Sequence, residues 1–159
     1  MTKRFDRDGC DKIHMQTLCA MNGLDFNLVS TYSATQLFDT AHELGLGLKD
    51  VDELFRRLVF NVCMSNNDDH TKNWSFIMKE NGGWGLAPAY DLTYSYSSGN
   101  LWMSQHFMAV NGKFKDITRE DLLLLANRFC VSEPEACIDR TIAVASEWKD
   151  YAQRAGISK

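Results

Sequence analysis

Residues 65–92 read SNNDDHTKNWSFIMKENGGWGLAPAYDL, and the organisation of the chain turns on them. Ser65 to Lys72 is too polar to continue the helical pattern before it and reads as a loop. Trp74 to Lys79 reads as a strand, Asn81-Gly82-Gly83 as a turn, and Trp84 to Ala87 as the returning strand. Two polar loops therefore flank one hairpin. One holds Asp68, Asp69, His70, Lys72 and Asn73, and the other holds Tyr90 and Asp91. Trp74, Phe76 and Trp84 read as hairpin core.

Working outward, the flanking segments are mostly helical in pattern. Upstream, Leu54, Phe55, Leu58, Val59 and Val62 recur at helical spacing after the acidic start Asp50-Val51-Asp52-Glu53. Before that, Ser33-Ala34-Thr35-Gln36 has the form of a capping box, and Gly45 stops the helix it opens. Residues 11–22 read as a short helix that fades at Gly23. Downstream, Trp102 to Val110 reads as a strand closed by Asn111-Gly112. Thr118 opens a helix through Phe129, and Glu133-Pro134 opens a last one running to about Arg154. The expected class is mainly α with a small β-hairpin element.

Length and composition narrow the function. A chain of 159 residues suits one domain or one large lobe. With 45% hydrophobic residues it can bury an ordinary core. A net charge of −4 argues against direct nucleic-acid binding, which favours basic surfaces. Five scattered cysteines fit neither a disulfide framework nor a zinc site, so a reducing cytoplasm is expected. The polar start MTKRFDRDGCDK is no signal peptide, and no apolar run is long enough for a membrane helix.

The two loops carry the pattern that phosphoryl transfer needs. A carboxylate must accept the proton of the attacking hydroxyl, and oxygen ligands must hold Mg²⁺ on the nucleotide phosphates. In protein kinases an Asp is followed five positions later by an Asn, with a further Asp downstream. Asp68, Asn73 and Asp91 follow that order and spacing. Such hard oxygen ligands suit Mg²⁺, which keeps several waters and needs few protein ligands. Lys72 is placed to neutralise phosphate charge, and His70 to brace the loop. Bland readings stand beside these. Asp and Asn are common in turns, Asp69 reads as solvated or as a loop fastener, and Asp91 as a turn cap. His14, His42 and His106 lack partner clusters and read as surface or satisfied core residues.

The wording NNDDHTKNWSFIM (66–78) followed by GWGLAPAYDL (83–92) resembles the HipA-like serine/threonine protein kinases, toxin components of bacterial toxin–antitoxin modules. The opening KRFDR (3–7) is similar to that family's hinge segment. The resemblance implies a protein-kinase-like C-terminal lobe over residues 1–159. It implies Asp68 as catalytic base, Asn73 and Asp91 as Mg²⁺ ligands, and ATP as phosphoryl donor. It places Tyr90 near the nucleotide, gives Phe5 backbone contacts to adenine, and gives Asp6 the ribose hydroxyls. The family's N-terminal lobe, with its phosphate-binding loop and lysine, would precede the hinge and is expected to be absent from this chain. No Gly-rich phosphate loop appears anywhere in it.

Four readings follow. The first is a lobe of an ATP- and Mg-dependent kinase acting on Ser/Thr of an unidentified protein and incomplete by itself, the N-lobe being lost to a truncated or split gene, left out by a late-called start, or supplied as a separate chain. The second is a kinase of a small molecule or lipid. The third is a non-catalytic interaction module that binds an antitoxin or an N-lobe chain. The fourth, a hydrolase with metal on Asp69, His70 and Asp91, has a thin ligand set and no H-E-x-x-H helix. None of them calls for membrane attachment.

Overall fold

The computed structural model describes residues 4–157. A short hairpin of β1 (Arg7–Asp8) and β2 (Asp11–Lys12) opens it, and β3 (Met15–Thr17) runs into the one-turn helix α1 (Leu18–Met21). Next come β4 (Tyr32–Ser33), α2 (Ala34–Glu43) and α3 (Leu48–Cys63). The central hairpin is β5 (Ser75–Met78) and β6 (Trp84–Leu86), followed by β7 (Met108–Ala109). Helices α4 (Arg119–Arg128), α5 (Pro134–Ser146) and α6 (Trp148–Arg154) complete the order.

The helices begin where local chemistry opens them. Ser33 accepts from the Gln36 amide while the Gln36 side chain accepts from the Ser33 amide, so two otherwise orphaned donors at the start of α2 are satisfied. α3 starts at Leu48 behind Gly47, earlier than the acidic run predicts, and Asp50 lies in its first turn, where the helix dipole favours a carboxylate. The apolar faces of α2 and α3 pack as one core: Leu37, Phe38 and Ala41 with Leu54, Phe55, Leu58 and Val59. Trp74, Phe76, Met108, Leu122 and Ile138 extend it toward the hairpin and the C-terminal helices.

Three expected elements differ from the structure. Residues 11–22 are not one helix. Met15, Gln16 and Thr17 pair antiparallel with Ile77, Phe76 and Ser75, making a three-stranded sheet in the order β3-β5-β6. Thr17 then caps α1 by accepting from the Ala20 amide, so pairing with β5 overrides local helix preference. Of 102–110, only Met108–Ala109 is strand, parallel to Tyr32–Ser33. The amides of His106 and Phe107 go instead to the Phe114 carbonyl and the Asp69 carboxylate. The last helix is broken at Glu147, whose ψ of 7° leaves the helical range between α5 and α6. No described helix is long and apolar enough to cross a membrane.

Two buried carboxylates hold the loops onto this core. Asp69 Oδ1 accepts from the Phe107 amide at 2.7 Å and the Met108 amide at 3.3 Å, and Oδ2 lies 3.0 Å from His106 Nδ1. The Asp69 carbonyl accepts from Trp74 Nε1. Asp69 is thus a loop fastener and His106 a satisfied core residue. Asp121 accepts from Asn111 Nδ2, Lys113 Nζ and the Thr118 amide, joining the cap of α4 to the Asn111-Gly112 turn. Both central residues of that turn have positive φ, 49° and 78°, as a tight hairpin requires.

Asp69→Ala orphans several buried donors and should lower the unfolding free energy by roughly 3–5 kcal/mol in urea denaturation. Asp69→Asn keeps one acceptor oxygen and should lose less. The Asp121 carboxyl is held well below the usual carboxylate range, first by the Asn111 amide and then by Lys113 and the Thr118 amide. The folded state therefore binds this proton less tightly than the unfolded one. The resulting stability is present above the ordinary Asp value of about 3.9 and is lost as pH falls below it. Asp121→Asn should flatten the acid limb of stability below about pH 4, read from thermal unfolding across pH.

Candidate active site

The first of the two polar loops starts where α3 ends. Ser65 adopts a left-handed φ of 51°, which turns the chain, and the Asn66 amide donates back to the Asn61 carbonyl. Asn66 forms a bridge with Ser95, and Asn67 Nδ2 donates to the Met103 carbonyl. Past Asp69 the chain turns again, with the Asn73 amide donating to the His70 carbonyl. Leu18 and Cys19 donate to the Trp74 and Thr71 carbonyls, tying the loop's end to α1.

Within this frame Asn73 Nδ2 donates to the Asp68 carbonyl at 2.8 Å. The amide's NH₂ is thereby committed inward, and its oxygen is the part left to bind. The Asp68 carboxylate is 44% exposed, with His70 Nε2 at 3.7 Å. Its pKa is raised, first by partial burial. The Asp91 and Asp69 charges push it up further, while His70 and Lys72 oppose them. His70 packs edge-on to Phe107, a bracing role.

The second loop is fastened from below. Arg57 of α3, paired with Glu53 at 2.7 Å, donates Nη1 to the Ala87 carbonyl, and the Ala87 amide donates to the Ser75 carbonyl. The Tyr90 hydroxyl donates to the Lys72 carbonyl at 2.5 Å and shares a short contact with Ser75 Oγ. Burial raises the Tyr90 pKa, which keeps it a protonated donor. Asp91 is exposed and left-handed, with φ 55°, and its carbonyl accepts from Asn66 Nδ2 at 3.1 Å. Asn61, Asn66, Asn73, Tyr90 and Asp91 line one small cavity between the two loops.

The structure thus draws Asp68, Asn73 and Asp91 to one place. Tyr90 joins them through its ring, which stacks on Phe5 with centroids 5.9 Å apart. The other expected contacts are less direct. The Asp6 carboxylate is engaged by the Arg4 guanidinium, which lowers its pKa, and the Lys72 ammonium sits 3.4 Å over the Phe26 ring. Lys3 of the hinge-like segment lies outside the described residues. Sequence reasoning passed over Asn61, Asn66 and Arg57. Asn61 did leave a signal: an amide on the Leu54–Leu58 stripe of α3, 3% exposed where an apolar residue belongs.

A hard divalent cation fits the donor set. Asn73 and Asp91 offer an amide oxygen and a carboxylate beside a second carboxylate, Asp68, with exposure enough for water ligands. Among the described residues no group of three or more His, Cys, Asp and Glu side chains converges. That removes the Asp69–His70–Asp91 hydrolase site, since Asp69 faces the core.

The model of the HipA-like C-terminal domain matches residues 1–148. The chain is 29% identical over 133 residues to a Sinorhizobium fredii protein named "Putative kinase Y4dM", covering 82% of this chain and 32% of that protein. It is 36% identical over 98 residues to a Haemophilus influenzae protein named "Putative kinase", covering 55% of this chain and 28% of that one. The fold matches HipA of Shewanella oneidensis, solved with HipB and operator DNA, with a TM-score of 0.68 and 20% identity. That match covers 90% of this chain and 40% of the other. The chain therefore spans about a third of its curated relatives' length. It belongs to the HipA-like C-terminal domain family.

Proposed function

We propose that this chain is the catalytic-loop lobe of a HipA-like kinase, transferring the γ-phosphoryl group of ATP to a Ser or Thr hydroxyl of a protein. The observation that carries the reading is the convergence of Asp68, Asn73 and Asp91 between two loops pinned to one core. Asp68 takes the proton of the attacking hydroxyl as its oxygen bonds to the γ-phosphorus and ADP leaves. Its raised pKa makes it a better proton acceptor than an ordinary Asp. Asn73 and Asp91 would hold Mg²⁺, which would supply charge neutralisation on the phosphates. Phe5 and Asp6 meet adenine and ribose beside the Tyr90 ring, and Asp6 exchanges Arg4 for the ribose hydroxyls. Lys72 would have to leave the Phe26 ring to meet the phosphates.

The matched region makes up 32% and 28% of the two curated relatives, and in a kinase of this kind the phosphate-binding parts lie outside this lobe. Transfer depends on positioning, so these residues would act together with such phosphate-binding parts. An antitoxin is the natural partner, by analogy with the HipB seen bound to the Shewanella protein. Five free cysteines support a cytoplasmic setting.

A second reading, the non-catalytic interaction module, is favoured by one observation. An open groove between α3, α5 and α6 is lined by Phe60, Met64, Leu92, Val144, Trp148 and Tyr151. Trp148 is 52% exposed and Val144 48%.

Calorimetric titration of Mg²⁺–ATP should show binding that disappears in Asp91→Ala and persists in Asp68→Asn. No binding up to millimolar nucleotide would hand the lead to the interaction module. Light scattering should show concentration-dependent association that Trp148→Ser reduces. A monomer at all concentrations counts against the interaction reading.

A further inference from the structure

We infer that Asn66 is a positioning residue for the cation site: its amide sets the backbone of Asp91 and thereby aims the Asp91 carboxylate. The inference rests on the reading of Asn73 and Asp91 as the cation's ligands.

Asn66 is 1% exposed, and its NH₂ group bonds in two directions. One bond goes to Asn61 Oδ1 on α3 at 3.0 Å, and the other to the Asp91 carbonyl at 3.1 Å. The side chain is therefore a strut from a core helix to the second ligand. Its own backbone is fixed by the bond to the Asn61 carbonyl and the bridge to Ser95. The strut cannot move without dragging the loop that carries Asp68 and Asn73.

Two departures from ordinary stability meet at this strut. Asp91 holds a left-handed φ of 55°, a conformation that most residues with a Cβ avoid and that Asp adopts more readily than most. The Asn66 amide, bonded to the carbonyl of that same residue, supplies a hold. Meanwhile Asn66 Oδ1 is buried with no hydrogen-bond partner among the described residues. Buried polar atoms are nearly always paired, and leaving one unpaired destabilises the fold. An apolar side chain would avoid that cost but could not reach the Asp91 carbonyl. Local penalties of this kind concentrate where a site is held in a working geometry. Asn66, Asn73 and Asp91 also line the same small cavity, so the strut and both ligands form one unit.

The test uses Mn²⁺ as the probe, titrated into the purified chain and followed by electron paramagnetic resonance. Wild type should bind, and Asp91→Ala should abolish binding. Asn66→Ala should weaken binding at least tenfold while circular dichroism shows it folded. Asn66→Ser stands in if the alanine variant does not fold. Ile138→Val, a core change in α5, controls for general destabilisation and should bind Mn²⁺ as wild type does. Folded Asn66 variants with wild-type affinity would overturn the inference and leave the ligand reading intact. Absent binding in wild type, or full binding in Asp91→Ala, would sink the ligand reading and the inference with it.

Discussion

The candidate site depends on one buried carboxylate. Asp69 accepts from two backbone amides of 107–108 and meets the His106 ring, which fastens the loop's midpoint inside the core. Asp69 is turned into the core, while its neighbour Asp68 stays accessible. Two adjacent aspartates thus divide the work: Asp69 is 1% exposed and structural, while the Asp68 carboxylate is 44% exposed and open to chemistry. Each of the other site residues is reached by a short chain of bonds from that anchor.

The second loop depends on α3 and β5 rather than on its own residues. Arg57 holds the Ala87 carbonyl, Ser75 and the Lys72 carbonyl hold the Tyr90 hydroxyl, and Asn66 holds the Asp91 carbonyl. Irregular loops have many conformations to lose, so bonds from rigid elements are what make a loop a usable scaffold. Five of the non-glycine residues with positive φ lie in loops or turns outside these two, while Ser65 precedes Asn66 in the chain and Asp91 receives its amide.

Much of this was legible before any coordinates. The Ser33 capping box, the apolar stripe of α3, the Thr118 start of α4 and the β5–β6 hairpin all follow from local patterns. The family resemblance named Asp68, Asn73 and Asp91 for the site. Illegible were the features that long-range pairing decides. Residues 15–17 join a sheet because β5 offers an open edge some sixty residues later in the chain, and no local signal announces that. Residues 102–107 look like a strand, but the amides of Trp102 and Met103 turn back to Asn100, and those of His106 and Phe107 go to the Phe114 carbonyl and the Asp69 carboxylate. Asn66 is an ordinary loop residue by sequence, and only its two bonds distinguish it.

The β3-β5-β6 sheet has one further consequence. Thr17 faces Ser75 in register, so the stretch that follows Phe5 is laid directly against the strand that leaves the loop of Asp68 and Asn73. The sheet works as a ruler between the two. A strand tolerates no slip by one residue without reversing which side chains face the core. Chain-length changes must therefore be taken up at the outer turns, near Gly9 and Asn81–Gly83, whose glycines at 9, 82 and 83 are exposed. The spacing between the aromatic at the chain's start and the acidic pair is carried by backbone pairing, and variation is steered to the rim.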